Sequence, residues 1–209
     1  MSYEPKQKND TEFRTGLVRL SYPKIHKPEQ KKDQNGNGIT DAAGNPEMQY
    51  SLALIIPKSE KATVDMLKKC LTNAAKAGFG AKVPPNAFKG LRDGDTDPSA
   101  MVDATDESKG RKPELEGCYW INCTSKIKPR VVGLEKDDFT GKLQELDETQ
   151  IKAGDWVRVQ LRCYHFDKGV NKGIAFGFAG VQLLEEGEPL ASGGFDESLF
   201  DEETEEAFG

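Results

Sequence analysis

The residues from Gly154 to Phe166 constrain the fold most, because they form a long strand pattern with two contrasting faces. At a period of two, one face consists of apolar residues and a histidine, which is typical of a side that packs into a core. The other face alternates arginines with aromatic rings. The apolar face contains Val157, Val159, Leu161, Cys163 and His165, and the other face contains Trp156, Arg158, Gln160, Arg162, Tyr164 and Phe166.

Guanidinium groups and aromatic rings on one sheet face favour binding to single-stranded nucleic acid. Arginine pairs with phosphate through charge-assisted hydrogen bonds. Unpaired bases stack on aromatic rings, which contributes about 1–3 kcal/mol per base. A strand that is buried on both faces, with its arginines reaching the edge, is the alternative. For this strand taken alone, both interpretations stay open.

Four other segments have strand patterns, and one has the pattern of a helix. The helix is predicted from an N-cap at Ser59 to Lys76, with Gly78 as its stop signal. Five strands, one principal helix and long loops predict a mainly β protein, and the oligonucleotide-binding (OB) barrel is the commonest fold of this kind. The five strands are predicted at residues 13–22, 50–56, 117–127, 154–166 and 172–184.

The formal charge of −6 hides an uneven distribution. Ten of the 35 acidic residues lie at positions 185–209, which contain no lysine or arginine. Residues 1–184 therefore carry 29 basic and 25 acidic residues, a net charge of +4. A mildly basic body with an acidic end is compatible with binding to nucleic acid.

Composition divides the chain into three predicted regions. Residues 1–12 are polar and are expected to be disordered. Residues 13–184 are expected to form the OB domain, and residues 185–209 to form a disordered acidic tail. No apolar run is long enough to span a bilayer, and the N-terminus lacks the apolar segment of a signal peptide. We therefore expect a cytoplasmic protein without membrane contact.

The acidic tail also contains large apolar residues. Phe195, Phe200 and Phe208 are expected to anchor in pockets on partner proteins, with the acids steering the tail toward basic surfaces. The same acids can compete with nucleic-acid phosphates for the protein's own basic surface. A solubilising tail with incidental aromatic residues is the alternative.

The composition gives little support for a metal site or an enzyme. The four cysteines form no Cys-x-x-Cys pair and there are only two histidines, so buried free thiols, no metal and no cofactor are expected. Asp93, Asp95 and Asp97 could serve a metal-dependent nuclease, but no paired histidines, activated nucleophile or phosphate-binding glycine loop accompanies them. A protein-interaction or virion component is the other alternative.

Five short motifs together resemble the bacteriophage single-stranded DNA-binding proteins that have an acidic, aromatic-containing C-terminal tail. The resemblance covers nearly all of residues 13–208. It implies an OB fold, sequence-tolerant binding of single-stranded DNA during phage replication and recombination, and a tail that docks on partners such as DNA polymerase or helicase. The resemblance leaves open whether the protein forms a homo-oligomer. Such tails usually finish on the aromatic residue, whereas Gly209 follows Phe208 here. The motifs are Arg19–Pro23, Tyr50–Lys58, Leu91–Asp95, Trp156–Phe166 and Gly173–Gln182.

We therefore predict that DNA lies across the arginine and aromatic face of the 154–166 strand. Small residues around Gly177 on the fifth strand would let a ligand approach the backbone closely. If stacking occurs elsewhere, Tyr22, Tyr119 or Trp120 is the alternative ring. The predicted contacts are Trp156, Arg158, Arg162, Tyr164 and Phe166, with Lys168 and Lys172 at one edge and Lys126, Lys128 and Arg130 as further phosphate contacts.

Overall fold

The structure, a computed structural model, describes residues 3–33, 36–85, 87–103, 105–168 and 171–190. Within these residues it contains ten β-strands, one α-helix and three short 3₁₀ helices between β5 and β6. No described helix is long and apolar enough to cross a membrane. The elements are β1 (Lys6–Gln7), β2 (Glu12–Arg14), β3 (Val18–Gln30), β4 (Met48–Pro57), α1 (Lys61–Phe79), β5 (Leu91–Asp93), β6 (Cys118–Ser125), β7 (Arg130–Lys136), β8 (Leu143–Glu145), β9 (Trp156–Lys168) and β10 (Asn171–Glu185).

Five of the strands close into a barrel. β3 pairs with β4, β4 with β6, and β9 with both β3 and β10, all antiparallel. β6 runs parallel to β10, which completes the ring β3–β4–β6–β10–β9. These are the five strands that the alternation predicts. Helix α1 is the predicted helix, but its N-cap is Glu60 instead of Ser59, and it continues past Gly78 and ends at Phe79 before Gly80. The expectation of a mainly β, OB-type barrel is confirmed.

The barrel interior holds the main core. Val157, Val159, Leu161 and Cys163 of β9 are all almost completely buried, as their alternation predicts. Helix α1 packs its apolar stripe against this core. His165 differs from the other members of its face, because it is exposed and its ring meets Phe79 edge-on, with 6.0 Å between the ring centroids. Its position near the end of the β9–β10 hairpin places it beyond the closed core.

The N-terminal residues contain ordered structure where the sequence predicts disorder for residues 1–12. β1 pairs with β2, with Lys6 opposite Arg14. The Asn9 side-chain oxygen accepts hydrogen bonds from the backbone N–H groups of Thr11 and Glu12, at 3.0 and 2.8 Å. These bonds close the turn between the two strands, because an asparagine side chain can replace a backbone acceptor in a turn.

The first barrel strand continues beyond the proline that was expected to end it. β3 extends to Gln30, but its register with β4 shifts between Ser21 and Lys24. Tyr22 lies in this irregularity with a positive φ of 44°. Pro23 lacks an N–H group, so the bulge removes it from the hydrogen-bond ladder without ending the strand.

The predicted acidic tail begins with residues that bind to the barrel. Gly187 N–H donates to the buried Asp155 carboxylate at 3.0 Å, and Arg19 Nη2 donates to the Glu188 carbonyl at 2.7 Å. Leu190 packs against the small apolar cluster around Ile55. The predicted partner-binding residues Phe195, Phe200 and Phe208 lie outside the described residues.

Candidate nucleic-acid interface

The outer side of the barrel is continuous across its five strands. Residues that face each other in a sheet ladder lie on the same side of the sheet. One lateral row crosses all five strands, and its members are exposed or half-buried. The row consists of Arg162 on β9, Gly177 on β10, Thr124 on β6, Ser51 on β4 and Lys24 on β3.

Tyr164 and Phe166 lie beside very small residues of β10. Tyr164 is opposite Ala175, and Phe166 is opposite Gly173. A Cβ atom added at Gly177 would meet no atom closer than 3.6 Å, so the surface next to the rings is open. Both rings are half-buried, and the Phe88 backbone occupies the space over Gly173. The room for a flat base therefore lies beside Tyr164, at Ala175 and Gly177.

Phe88 and Arg92 extend this surface from a segment that lacked any periodic pattern, and Arg92 meets Trp120 of β6, which packs against the small apolar cluster around Ile55. The Arg92 guanidinium lies 4.4 Å from the centroid of the Trp120 ring and 5.7 Å from that of Phe88. Phe88 is 46% exposed. Its N–H donates to the Lys172 carbonyl at 2.9 Å, and its carbonyl accepts from Ile174 N–H at 2.7 Å. These bonds fasten the segment to β10 beside Gly173, so Phe88 lies two strands from Phe166.

These residues form one surface, which we call the aromatic face. Sequence reasoning missed Phe88 and Arg92, and considered Trp120 only as an alternative. The one available signal was that Arg92 lies within the Leu91–Asp95 motif. The aromatic face consists of Phe88, Arg92, Trp120, Tyr164 and Phe166, with the strip of Gly173, Ala175 and Gly177 between them.

The other half of β9 has different surroundings. Trp156 is half-buried, and the Arg19 guanidinium lies 5.9 Å from its ring centroid. Arg158 Nε donates to Gln182 Oε1 at 2.7 Å, and its guanidinium lies 5.9 Å from the Tyr3 ring centroid. Arg162 lies between the two halves, 5.6 Å from the Tyr164 ring centroid. The structure therefore brings Arg162, Tyr164 and Phe166 to the aromatic face, whereas Trp156 and Arg158 lie apart from it.

The predicted lysines and Arg130 lie around the edges of the barrel. Lys172 forms an ion pair with Asp167 at 3.5 Å, and Arg130 forms one with Glu145 at 3.0 Å. Lys126 and Lys128 are exposed in the connection between β6 and β7. Lys168 is the last residue of β9 and pairs with Asn171.

The other two rings considered for stacking, Tyr22 and Tyr119, lie on different parts of the barrel. Tyr22 is 74% exposed and lies on β3 between the outer-side residues Ser21 and Lys24. Tyr119 packs against the main core, with the ammonium groups of Lys58 and Lys68 at 5.0 and 4.8 Å from its ring centroid. Tyr22 is therefore open to a ligand, whereas Tyr119 lies toward α1 and away from the aromatic face.

The carboxylates considered for a nuclease are engaged in structural contacts. Lys58 Nζ lies 2.6 Å from both Asp93 Oδ1 and Asp95 Oδ2, and these hydrogen bonds lower the pKa of each carboxyl group. The Asp97 carboxylate accepts from Ser99 N–H at 2.9 Å and starts a 3₁₀ helix. Within the described residues, no group of three potential ligands is placed to hold a metal ion. The three aspartates therefore brace the loop behind the aromatic face.

A closed five-stranded barrel with rings and arginines on its outer side defines an OB-fold protein of the class that binds single-stranded nucleic acid. The chain belongs to the family described as the ssDNA-binding protein of Enterobacter phage Enc34, whose model matches residues 11–208. This membership confirms the resemblance to phage single-stranded DNA-binding proteins. It also confirms the prediction that the chain is a binding protein and not an enzyme.

Solved structures of phage proteins have the same fold. The single-stranded DNA-binding protein from bacteriophage Enc34 in complex with ssDNA is 23% identical, with a TM-score of 0.65, and the match covers 90% of this chain and 98% of that one. The gp2.5 single-stranded DNA-binding protein of bacteriophage T7 is 18% identical, with a TM-score of 0.50, and the match covers 96% of this chain and 99% of that one. Among curated proteins, none matches this chain.

Proposed function

We propose that this protein binds single-stranded DNA on the aromatic face, without sequence preference, in phage DNA replication and recombination in the host-cell cytoplasm. Every base has a flat face that can stack on a ring, so binding through Phe88, Phe166 and Trp120 tolerates any sequence. Arg92 and Arg162 would pair with phosphates next to the stacked bases. Family membership supports the choice of ligand.

The observation that carries the proposal is the grouping of the exposed Phe88 ring with the half-buried rings of Tyr164 and Phe166 beside the small residues of β10. Single exposed rings are ordinary on a protein surface, but a contiguous group of them marks a binding surface. On the β10 side, the Phe88 backbone lies over Gly173, whereas Ala175 and Gly177 leave the surface beside Tyr164 open. A strand of unpaired bases fits this shape better than a folded protein partner with a convex surface.

The proposal is tested by binding of a labelled 20-mer of oligo(dT), measured by fluorescence anisotropy at several salt concentrations. We expect affinity to fall steeply with salt, because phosphate contacts release counterions, and to change little when the base sequence is varied. Quenching of tryptophan fluorescence gives a second readout, since Trp120 lies on the aromatic face. Absence of binding at low salt would favour the protein-interaction or virion component instead.

A pair of matched variants tests the site itself. Phe166→Ala should weaken oligo(dT) binding by about tenfold, the equivalent of one lost stacking contact. Phe139→Ala removes the same side chain from a position that is 98% exposed on the β7–β8 hairpin, next to Asp137 and Asp138. Acidic neighbours repel phosphate, so this control should keep the wild-type affinity. Equal affinities of the two variants would contradict the proposed site.

The acidic C-terminal segment is proposed to recruit replication partners such as DNA polymerase or helicase. Its support is the charge and composition of the sequence, which combines acids with Phe195, Phe200 and Phe208. The test should delete residues 191–209 and keep residues 185–190, because Gly187 and Glu188 hydrogen-bond to the barrel. Deletion should tighten DNA binding and abolish binding to the purified partner.

A second variant separates the two roles of this segment. Changing Phe195, Phe200 and Phe208 to alanine keeps all the acids, so DNA affinity should stay at the wild-type value while partner binding is lost. Partner binding that survives all three substitutions would show that the phenylalanines are incidental. Weaker DNA binding by the deletion variant would contradict the proposed competition with phosphates.

A further inference from the structure

The outer side of the barrel carries a second group of arginines, which lies next to the aromatic face but outside it. Gln160 of β9 is exposed, and it faces Arg14 on β2 and Gly180 on β10. Arg158 is two residues away along β9, on the same side. Arg130 of β7 faces Gly180 from the other direction. We call Arg14, Arg130 and Arg158, with Gln160 and Gly180 between them, the arginine cluster.

The positive charges of two of these arginines have no carboxylate counter-charge within the described residues. Neither Arg14 nor Arg158 forms an ion pair with any carboxylate in the part of the chain that the structure describes. Both are half-buried, and Arg14 Nε is buried without a hydrogen-bond partner. Burial, together with the nearby charge of Arg14, lowers the pKa of the Arg158 guanidinium. A half-buried charge without a counter-charge is costly, so an anion at this position would be favoured.

The shape of the cluster suits a phosphate better than a base. Gly180 has no side chain, which leaves space between Gln160 and Arg130. Among the described residues, the ring that lies against these arginines is Tyr3, which already faces the Arg158 guanidinium. Arg14 and Arg130 lie three strand spacings apart across the sheet. Because neighbouring strands are about 4.8 Å apart, a gap of about 14 Å separates the two arginines. Arg14 Nη2 donates to the Glu4 carbonyl at 2.9 Å, and Arg130 Nε is paired with Glu145 at 3.0 Å. The guanidinium N–H groups outside these bonds and the Arg158–Gln182 bond can donate to a phosphate.

We propose that the arginine cluster is a phosphate-binding subsite that holds the DNA backbone without contacting bases. The inference rests on the proposed function, and it divides the interface into a stacking part and a backbone part. Arg162 connects the two parts, since it lies between Gln160 and Tyr164 on β9. A strand that leaves the aromatic face along β9 would therefore pass directly onto the cluster.

The subsite is tested with a 20-unit abasic strand, which has the deoxyribose phosphate backbone and no bases. The variant is Gln160→Glu, which keeps the size of an exposed side chain and places a carboxylate among the arginines. It should raise the thermal unfolding midpoint, because the arginines gain a counter-charge. It should also weaken abasic-strand binding at least fivefold and lower the salt-dependence slope by about one unit.

Two control variants complete the design. Lys142→Gln removes one positive charge from the exposed β7–β8 hairpin and should leave abasic-strand affinity unchanged. Phe166→Ala should also leave it unchanged, although the same variant weakens oligo(dT) binding. If Gln160→Glu raises the midpoint but binds the abasic strand like the wild type, the arginines are purely structural and the inference is wrong.

Failure of this inference can be distinguished from failure of the proposed function. A wild-type protein that binds oligo(dT) but not the abasic strand has the aromatic face and no backbone subsite, which contradicts the inference alone. A wild-type protein that binds neither strand contradicts the proposed function as well. Abasic-strand binding that Gln160→Glu weakens and Phe166→Ala leaves unchanged supports the inference, and oligo(dT) binding that Phe166→Ala weakens supports the proposed function.

Discussion

The aromatic face and the arginine cluster occupy the outer side of the same strand, yet they have different chemistry. At the Tyr164–Phe166 end, the neighbouring residues on β10 are glycine and alanine, so the half-buried rings have only small neighbours on that strand. At the Arg158–Gln160 end, the neighbouring strand β2 contributes Arg14, and Gln182 fixes the Arg158 side chain. Alternation decides which side of the sheet a residue occupies, but the facing strands decide what that residue can bind.

The largest expected effect comes from removing two rings of the aromatic face together. Phe88→Ala combined with Phe166→Ala should weaken binding to oligo(dT) about 100-fold, because two stacking contacts are lost and their contributions are about 1–3 kcal/mol each. The combination of Arg14→Gln with Arg158→Gln should weaken it only about fivefold. Fluorescence anisotropy at one fixed salt concentration compares the two pairs. Similar losses for both pairs would show that the outer side of β9 acts as one uniform surface.

A smaller effect is expected from filling the strip beside the rings. Gly177→Val should weaken oligo(dT) binding about tenfold, because the side chain would occupy the space next to Tyr164 that a base requires. An added Cβ meets Thr124 O and Tyr164 Cε1 at an ordinary 3.6 Å, so the fold should accept it. Valine also suits a strand. Wild-type affinity in a variant with an unchanged melting temperature would place the bases elsewhere.

Trp156 should contribute less than the rings of the aromatic face. Trp156→Ala is expected to weaken oligo(dT) binding no more than about threefold, since its ring already faces Arg19 and lies ten residues from Phe166 along β9. An extended strand of ten residues covers about 33 Å. The same variant leaves Trp120 as the only tryptophan, and most of the fluorescence quenching by DNA should persist. Loss of the quenching signal would move the stacking site toward Trp156.

The smallest expected effect concerns the ion pairs behind the aromatic face. The contacts with Lys58 lower the pKa values of Asp93 and Asp95 below the ordinary 3.8. Groups with lowered pKa values stabilise the fold above their unfolded-state pKa, and this contribution disappears as the pH falls through the lowered values. Lys58→Met should therefore lower the melting temperature by about 2–4 °C at pH 7, the scale of a partly exposed ion-pair network. The difference in melting temperature between Lys58→Met and the wild type should disappear as the pH falls below about 4.

The Lys58→Met variant also tests whether the aromatic face and the arginine cluster bind DNA independently. Asp93 is adjacent to Arg92, so loosening it should weaken oligo(dT) binding slightly. The arginine cluster has no contact with Lys58, so binding of the abasic strand should not change. A loss of affinity for both strands would indicate that the loop behind the aromatic face supports the whole outer side.

The barrel could be predicted from the sequence because its strands are long and their core faces are regular. The alternation of Val157 to Cys163 and of Leu52 to Ile56 predicts buried faces, and all of these apolar residues are buried. The extent of β3 could not be predicted, because Pro23 is a strand-ending signal in the sequence. Only the pairing with β4 reveals that a bulge accommodates the proline.

The candidate site was only partly accessible to sequence reasoning. Arg162, Tyr164 and Phe166 stand out because their own strand alternates. Phe88 and Arg92 belong to a segment in which β5 has three residues, too few to show a period, and its position depends on pairing with the distant β6. Arg14 was missed for a similar reason, since its significance comes from facing Gln160, which is 146 positions away in the sequence.

The backbone conformation of Tyr22 carries a folding cost that another residue at position 22 would avoid. A non-glycine residue with a positive φ costs the chain roughly 1–2 kcal/mol, and glycine would remove that cost. Glycine would also remove a ring that is 74% exposed beside Lys24. Selection for thermal stability alone should therefore yield glycine or asparagine at this position, whereas selection for DNA affinity should keep the tyrosine only if its ring stacks on a base.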